Sequence, residues 1–439
     1  MNKPRTVYIL GAGASAAVGL PIQNKLIEKI FTLSLDDLPA SDDFVVDESL
    51  AMYYEYFEVS RRYLADFLVQ YFANNDISTY YNQIKNDIPH TEQYKLFCYG
   101  GEYDSIWSNI YTSLKDIVIP LEDVFTTLDK VKLNNDSYGI FTNTNIENVS
   151  ISLKNCIIFV LSFFVEKSEN NSALYSRIAK YLTKIRYNTT DVTPFSIISL
   201  NWDTLIDSSI YRACSEHNAI HPNKQIFPDY CFYNYDLSNN LPSTLIKPFG
   251  FLNIKIMKLH GSINWLECPN CGRIYTDFKN LISLKSMVKK QNLNDEICYS
   301  CNTLNRSSFT QSIIVTPTFL KTFNSHYLKN IWHNAYLDLC KATEIVFLGY
   351  SLPDADFELK YILKKAIQKD CKITVVLHES DNPEYYSEYL NGKLSDEDSQ
   401  FKSSILSKLS LPENRFRNFF TNNLIEFNYN GIDDYFKEK

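Results

Sequence analysis

Residues 7–21, Val-Tyr-Ile-Leu-Gly-Ala-Gly-Ala-Ser-Ala-Ala-Val-Gly-Leu-Pro, begin as an apolar strand, break into a glycine turn and continue as a helix. A strand that passes directly into a helix through small residues is the first step of a parallel α/β sheet. Gly11 and Gly13, with Ala12 between them, remove side chains that would block a pyrophosphate, and Ser15 adds a hydroxyl. The start of the following helix would offer backbone N–H groups and a positive dipole end. The run departs from the full GxGxxG pattern, and short Gly/Ala turns also occur with no ligand, so the turn alone leaves both readings open.

Three later segments repeat the design. Ser196 to Asp207 is an apolar run ending in Asn201-Trp202-Asp203, which places an amide and a carboxylate at a strand's carboxyl end. That edge of an open α/β sheet is where ligands bind, although Asp203 and Thr204 would equally well start a helix at Leu205. Lys255 to Trp265 ends its strand-like portion at His260-Gly261-Ser262. A lone histidine usually has a structural role; one at a strand end followed by glycine can face a cleft, with a pKa suited to a general base. Glu344 to Leu363 again runs from strand to glycine, with Gly349 and Ser351 at the turn and Asp356 near the next helix.

Ten cysteines include two CxxC pairs, Cys268/Cys271 and Cys298/Cys301, separated by 26 residues. Four thiolates on two such knuckles suit a tetrahedral structural zinc, and a full sulfur set leaves no position for a catalytic water.

Together these motifs resemble the sirtuin family. The register GAGxSxxxGxP is kept from Gly11 through Ser15 and Gly19 to Pro21, and Asn201-x-Asp203 matches the family's Asn-Ile-Asp. His260-Gly261 matches its His-Gly, and Gly349-Tyr350-Ser351-Leu352 its Gly-Thr-Ser-Leu, all in family order. The zinc ribbon of sirtuins begins just after the His-Gly motif, and Cys268 follows His260 by eight residues. The likeness spans about the first forty residues and roughly residues 190–380. It implies an α/β fold: a Rossmann-like, doubly wound parallel sheet with a large, mostly helical insertion and a four-cysteine zinc ribbon. The expected bounds are 1–40 and 190–439 for the NAD-binding domain, 41–189 for the helical insertion or lid, and 262–312 for the ribbon.

The resemblance also implies NAD as substrate. Gly11, Ala12, Gly13, Ser15 and Pro21 would hold the pyrophosphate side, Gly349, Ser351 and Asp356 the adenosine side, and Asn201 and Asp203 the nicotinamide ribose and carboxamide. Asn201, His260 and Asp203 would carry the chemistry. Where deacylase members continue Asp-Phe-Arg after Gly-x-Pro, this chain has Ile22-Gln23-Asn24. The acyl-lysine-binding Val-x-Phe-Gly-Glu also has no clear counterpart; after the second CxxC pair the chain runs Ser312 to Phe323 as SIIVTPTFLKTF. Some sixty residues, not the family's usual twenty or so, separate Asn201 from His260.

Cofactor residues without peptide-substrate residues imply an NAD hydrolase that releases nicotinamide and ADP-ribose. A protein lysine deacylase and a non-catalytic NAD or ADP-ribose sensor are the alternatives. The family's bacterial anti-phage branch implies a regulated effector that depletes NAD, forms a homo-oligomer and has a co-encoded partner: a ring ATPase, an Argonaute-like protein or a nucleotide-processing enzyme.

Composition sets outer limits. A net charge of −8 with no long basic stretch argues against direct nucleic-acid binding. The most apolar run, Cys156 to Val165, is ten residues between Lys154 and Glu166, too short to cross a bilayer, and predicts a buried helix. Thiols in zinc spacing and a start that passes directly into a strand point to a reducing cytoplasm. Three- and four-residue spacing of aromatic and aliphatic residues between about Leu35 and Asp191 predicts amphipathic helices. SIIVTP, EIVFLGY and KITVVLH read as successive strands of the main sheet, with a charged loop at 393–400, a helix near 401–418 and a further strand near the end.

Overall fold

The computed structural model describes residues 5–38, 50–138, 141–169, 173–191, 193–232, 234–236, 241–243, 252–278, 282–287, 298–303, 310–315, 325–353, 356–378, 411–437 and 439. The loop at 393–400 and the first part of the helix expected near 401–418 lie outside them, as does most of the segment after Val315 that was compared with the deacylase motif.

In chain order, β1 (Thr6–Leu10) and α1 (Ala12–Ala16) are followed by α2 (Leu26–Thr32), α3 (Leu50–Tyr71), α4 (Asn75–Asp87), α5 (Asp104–Lys115), α6 (Leu121–Asn134) and α7 (Asn143–Glu169). Next come α8 (Ala173–Asn188), β2 (Phe195–Ser199), α9 (Leu205–Ile220), β3 (Ile226–Asp229), β4 (Asn234–Asp236), β5 (Leu241–Ser243) and β6 (Leu252–Lys258). The chain continues with β7 (Gly261–Glu267), β8 (Ile274–Thr276), α10 (Tyr299–Asn302), β9 (Gln311–Ile314), α11 (His326–Cys340), β10 (Glu344–Leu348) and α12 (Phe357–Ala366). It closes with β11 (Lys372–Val376), α13 (Leu411–Phe419), β12 (Ile425–Asn428) and α14 (Gly431–Lys437).

These elements fall into two compact units. The first holds residues 1–19, 168–262 and 323–439; the second holds 20–167 and 263–322.

The first unit is built on a seven-stranded sheet of order β12-β11-β10-β1-β2-β6-β3 in which every pairing is parallel. Successive residues of Val7–Leu10, Phe195–Ser199, Ile345–Leu348 and Ile373–Val376 are all buried. Adjacent residues on a strand point to opposite faces, so both faces of the sheet are covered, as a doubly wound α/β fold requires. From β1 the chain goes to β2 on one side, and only later returns to β10 on the other. The gap between β1 and β10 is therefore the topological switch point, whose carboxyl end is the usual ligand crevice of this architecture.

Two elements depart from the sequence expectation. SIIVTP was read as a strand of the main sheet, but β9 pairs beside β7 in a separate sheet with β8. Its burial pattern runs from exposed Gln311 to buried Ile313 and Ile314, half covered where a central parallel strand would be buried throughout. Helix α8, assigned by its periodicity to the insertion, packs instead on α9, β6 and β3 of the first unit. The stripe Leu174, Tyr175, Ile178, Ala179 and Leu182 is buried there. A stripe at 3.6-residue spacing identifies a buried face and not the neighbour that covers it.

In the second unit, helices α2 to α7 share an aromatic core in which Phe57 of α3 stacks on Phe159 of α7 with ring centroids 4.4 Å apart. The Cys156–Val165 run is helical, as expected. Residues 144–168 form a helix long and apolar enough by composition to span a membrane, yet 72% of its apolar window is buried inside the protein.

Candidate functional site

Parallel pairing in register brings Leu10, Ser199, Lys258 and Leu348 to one edge of the first unit's sheet. The ladder then extends one rung further, with Leu200 N donating to Leu10 O, Leu259 N to Ser199 O and Gly11 N to Leu348 O. All four motif turns therefore leave the sheet at the same edge, although they are up to 340 residues apart in sequence.

The β1 and β10 turns fit against one another backbone to backbone. Gly11 and Gly13 would each place a Cβ 2.7 Å from the Gly349 carbonyl, and a Cβ on Gly349 would lie 2.2 Å from the Ala14 nitrogen. Gly349 also has φ +58°, a left-handed conformation that glycine adopts without strain. Gly13 N–H donates to Gly349 O at 2.8 Å and Ala14 N–H to Gly11 O at 3.0 Å. The sequence assigned these glycines to making room for phosphate; the structure gives them a packing reason, and it commits the Gly13 and Ala14 N–H groups internally.

Asn201 ties the turns together. Its Nδ2 donates to the Gly11 carbonyl and to Ser15 Oγ, both at 2.9 Å. A carbonyl can only accept, so the amide's orientation follows, and its oxygen is the acceptor left for a ligand or water. Ser15 Oγ in turn donates to Asp203 Oδ2 at 2.6 Å and lies 3.2 Å from the Tyr175 hydroxyl. Asp203 Oδ1 accepts from Leu205 N at 3.1 Å, at the start of α9. Asp203 thus holds the start of α9 with one oxygen and the Ser15 hydroxyl with the other. Burial pushes its carboxyl above the ordinary range, partly offset by Lys258, Ser15 and the Leu205 amide.

His260 lies two residues past the end of β6, just before β7, and is buried. Its Nδ1 lies 3.1 Å from Leu200 O. Because that oxygen can only accept, Nδ1 carries the proton, and Nε2 is the basic nitrogen of the neutral ring. Trp332 of α11 packs 6.4 Å from the imidazole and donates its indole N–H to Leu259 O.

Beneath the site lies a network absent from the motif reading. Lys258 and Asp207 have fully buried side chains 2.9 Å apart. Lys258 also donates to the Asp203 carbonyl, and the Tyr230 hydroxyl donates to Asp207 Oδ1 at 2.6 Å. One cation thereby pins both the Asn201–Asp203 turn and α9. Of the other expected residues, Ser351 is exposed, Asp356 accepts from the Tyr350 hydroxyl at 2.9 Å, and Pro21 belongs to the second unit.

In the second unit, Cys268, Cys271, Cys298 and Cys301 bring their sulfurs within 4.8 Å of one another. Sγ pairs at 3.7 and 3.5 Å fit the spacing of about 3.8 Å expected around a tetrahedral zinc with Zn–S near 2.3 Å. Gly272, at φ +70°, closes the first knuckle. Although burial acts in the opposite direction, the Arg273 amide and the neighbouring thiols hold Cys271 down to about 7, a ready thiolate for metal capture.

No family model and no curated protein matches the chain. Among solved structures, one described as Sir2-p53 peptide-NAD+ is 14% identical, with 99% of this chain and 90% of that one covered and a TM-score of 0.31. Sir2Tm bound to a propionylated peptide is 15% identical over 84% and 80%, at 0.28. An ADP-ribose complex of a Sir2 homologue mutant is 12% identical over 85% and 79%, at 0.31. Likenesses at this level bear on neither activity nor substrate.

Proposed function

We propose that the chain hydrolyses NAD at the carboxyl edge of β1, β2, β6 and β10. The observation that carries this reading is the convergence there of Asn201, Ser15, Asp203 and His260, bonded to one another or to one another's turns at the carboxyl ends of β1, β2 and β6. In the reaction, a water adds to the anomeric carbon of the nicotinamide ribose as the N-glycosidic bond breaks. The bond's electron pair stays on the pyridine nitrogen, so nicotinamide leaves neutral and one proton is released with ADP-ribose. The Asn201 oxygen would orient the water or a ribose hydroxyl, and His260 Nε2 would take the proton, a contribution of about 10²–10⁴-fold. Asp203 acts mainly by holding Ser15 and the turn in place.

A chain with this activity in a cell needs an off state. The motif resemblance supports placing it among bacterial anti-phage effectors silenced until a partner or signal acts, with oligomerisation as the means of restraint. Purified protein incubated with NAD, alone and with an acetylated peptide, separates the chemistries by product: free ADP-ribose marks hydrolysis and O-acyl-ADP-ribose marks deacylation. Asn201→Ala should abolish nicotinamide release while melting within a few degrees of wild type. Retained cleavage in that variant would overturn the site, and intact NAD under every trigger would leave a sensor.

A further inference from the structure

The four clustered cysteines of the second unit sit on two knuckles that are built differently. The first is the tip of a hairpin. β7 and β8 pair antiparallel from Trp265 and Thr276 to Glu267 and Ile274. Beyond the last rung, Cys268 N–H donates to Arg273 O at 2.9 Å and Gly272 N–H donates to Cys268 O at 2.8 Å. Backbone bonds that need no metal thus shape the loop carrying Cys268 and Cys271. The second knuckle, Cys298 to Cys301, carries α10, a helix of four residues in which Asn302 N–H donates to Cys298 O at 2.9 Å. A single helical turn fixes more backbone freedom than its hydrogen bond repays, so this knuckle needs support from outside itself.

Side chains of the first hairpin supply it. Tyr275, on β8 and 4% exposed, places its hydroxyl 3.1 Å from Cys298 Sγ. Asn270, between the two cysteines of the first knuckle, donates from Nδ2 to Cys301 Sγ at 3.5 Å. A cysteine that ligates zinc does so as a thiolate, which can only accept, so the Tyr275 hydroxyl is the donor. Both bonds start in the first half of the cluster and end on sulfurs of the second, across the 26 residues that separate the CxxC pairs. Arg273 differs, since its Nη1 lies 3.7 Å from Cys271 Sγ within its own knuckle.

We propose that Tyr275 and Asn270 hold the second knuckle on the zinc from outside its coordination sphere, and that Tyr275 above all sets how tightly the metal is kept. The hydroxyl acts in two ways. It restrains Cys298 Sγ at the cluster, and it draws off part of the negative charge that four thiolates leave around a divalent ion. Outer-shell donors of this kind contribute about 10–100-fold to metal affinity. Tyr275 carries the larger share because it is buried and its contact is the shorter, whereas Asn270 is exposed. The proposal rests on the cluster taking zinc and not on any chemistry in the first unit.

Competition of the zinc-loaded, full-length protein against a chromogenic chelator at constant pH tests it. Tyr275→Phe keeps the ring and removes the donor, and should weaken zinc binding by about tenfold or more; Asn270→Ala should act in the same direction by a smaller factor. Cobalt(II) in place of zinc adds a readout that general loosening of the fold would not move. With the donor gone the sulfur electrons are held less tightly, so the sulfur-to-cobalt charge-transfer band of Tyr275→Phe should shift to longer wavelength. Tyr81→Phe, which removes the hydroxyl of a buried tyrosine packed on Trp107 in the helical core, should leave affinity and band at wild type. Zinc affinity of Tyr275→Phe within about twofold of wild type, weakened affinity with an unshifted band, or an equal loss in Tyr81→Phe would overturn the assignment. Should Tyr275→Phe not fold, Asn270→Ala at its exposed position decides, and unchanged affinity there overturns the tether. A wild-type chain that takes up neither zinc nor cobalt overturns the ribbon as well.

Discussion

Replacing Lys258 by methionine isolates what the buried cation beneath the candidate site contributes. Both Lys258 and Asp207 side chains are fully buried and 2.9 Å apart, so the variant leaves Asp207 without its counter-charge and removes the donor to the Asp203 carbonyl. Breaking a buried ion pair by deleting one partner destabilises by about 3–5 kcal/mol, against a typical domain stability of about 5–15 kcal/mol. In the Lys258→Met/Asp207→Asn double variant position 207 no longer carries a stranded charge and the Tyr230 hydroxyl keeps an acceptor. It should be more stable than Lys258→Met by at least about 1.5 kcal/mol.

A pH dependence follows. Burial raises the Asp203 carboxyl in the folded protein, and Lys258 is the largest influence pulling it back. An acid whose folded value is raised adds stability fully present below its unfolded value, about 3.9, and lost as pH rises through the folded one. Removing Lys258 raises the folded value further and widens that window upward. Lys258→Met should therefore lose more stability at about pH 8 than at about pH 5.5, because protonation relieves the stranded charge at the lower pH. Urea unfolding followed by tryptophan fluorescence at both pH values measures it. A loss below about 1 kcal/mol at both, or a double variant no better than the single, would refute the account of Lys258 as the charge that holds this turn.

Gly349→Ala combines a left-handed φ with a 2.2 Å collision against Ala14 N, and should unfold or strongly destabilise the first unit with or without ligand, seen as a collapsed thermal transition. Gly19→Ala, with open space around its Cβ and φ +96°, should be milder, about 1–2 kcal/mol. Purified protein should carry one zinc, and Cys301→Ser should lower the melting temperature together with metal content. Protons compete with zinc for the four thiolates, so the metal should be lost to a chelator progressively faster as pH falls; metal analysis after dialysis at a series of pH values checks it. Phe159→Ala removes a ring stacked on Phe57 in the helical core and should cost about 3–5 kcal/mol in urea unfolding.

The elements legible in the sequence share one property: their neighbours on both faces are apolar, so the pattern of the segment itself reports its environment. β1, β2, β10 and β11 are short runs made mostly of apolar residues, and each is a central strand buried on both faces. β3 was missed because Ile-Phe-Pro-Asp carries a proline and an exposed Phe227, a pattern that only an edge position allows. The zinc cluster was legible because its spacing is local; α8's partner was not, because that information lies on β6 and α9.

The site divides in the same way, and the division explains why its strongest electrostatic element escaped notice. Asn201, Asp203 and His260 could be found because each stands at the end of an apolar run, where a polar residue is conspicuous. Lys258 ends the same strand that presents His260, and a lysine there reads as a side chain reaching for water along its aliphatic stem. Its burial depends on Asp207, fifty-one positions earlier in the first turn of α9, where an acidic residue is already accounted for by the helix dipole. Each charge has a sufficient local explanation, and only their meeting through the parallel pairing of β2 with β6 shows that neither explanation is complete. The glycines carry the converse lesson. A turn that could serve a pyrophosphate is also the turn that lets the β1 and β10 backbones touch, so loss of function in Gly13→Ala would by itself say nothing about phosphate. Asn201→Ala is the more discriminating change, since it removes a donor from Gly11 and Ser15 while every backbone contact between the two turns survives.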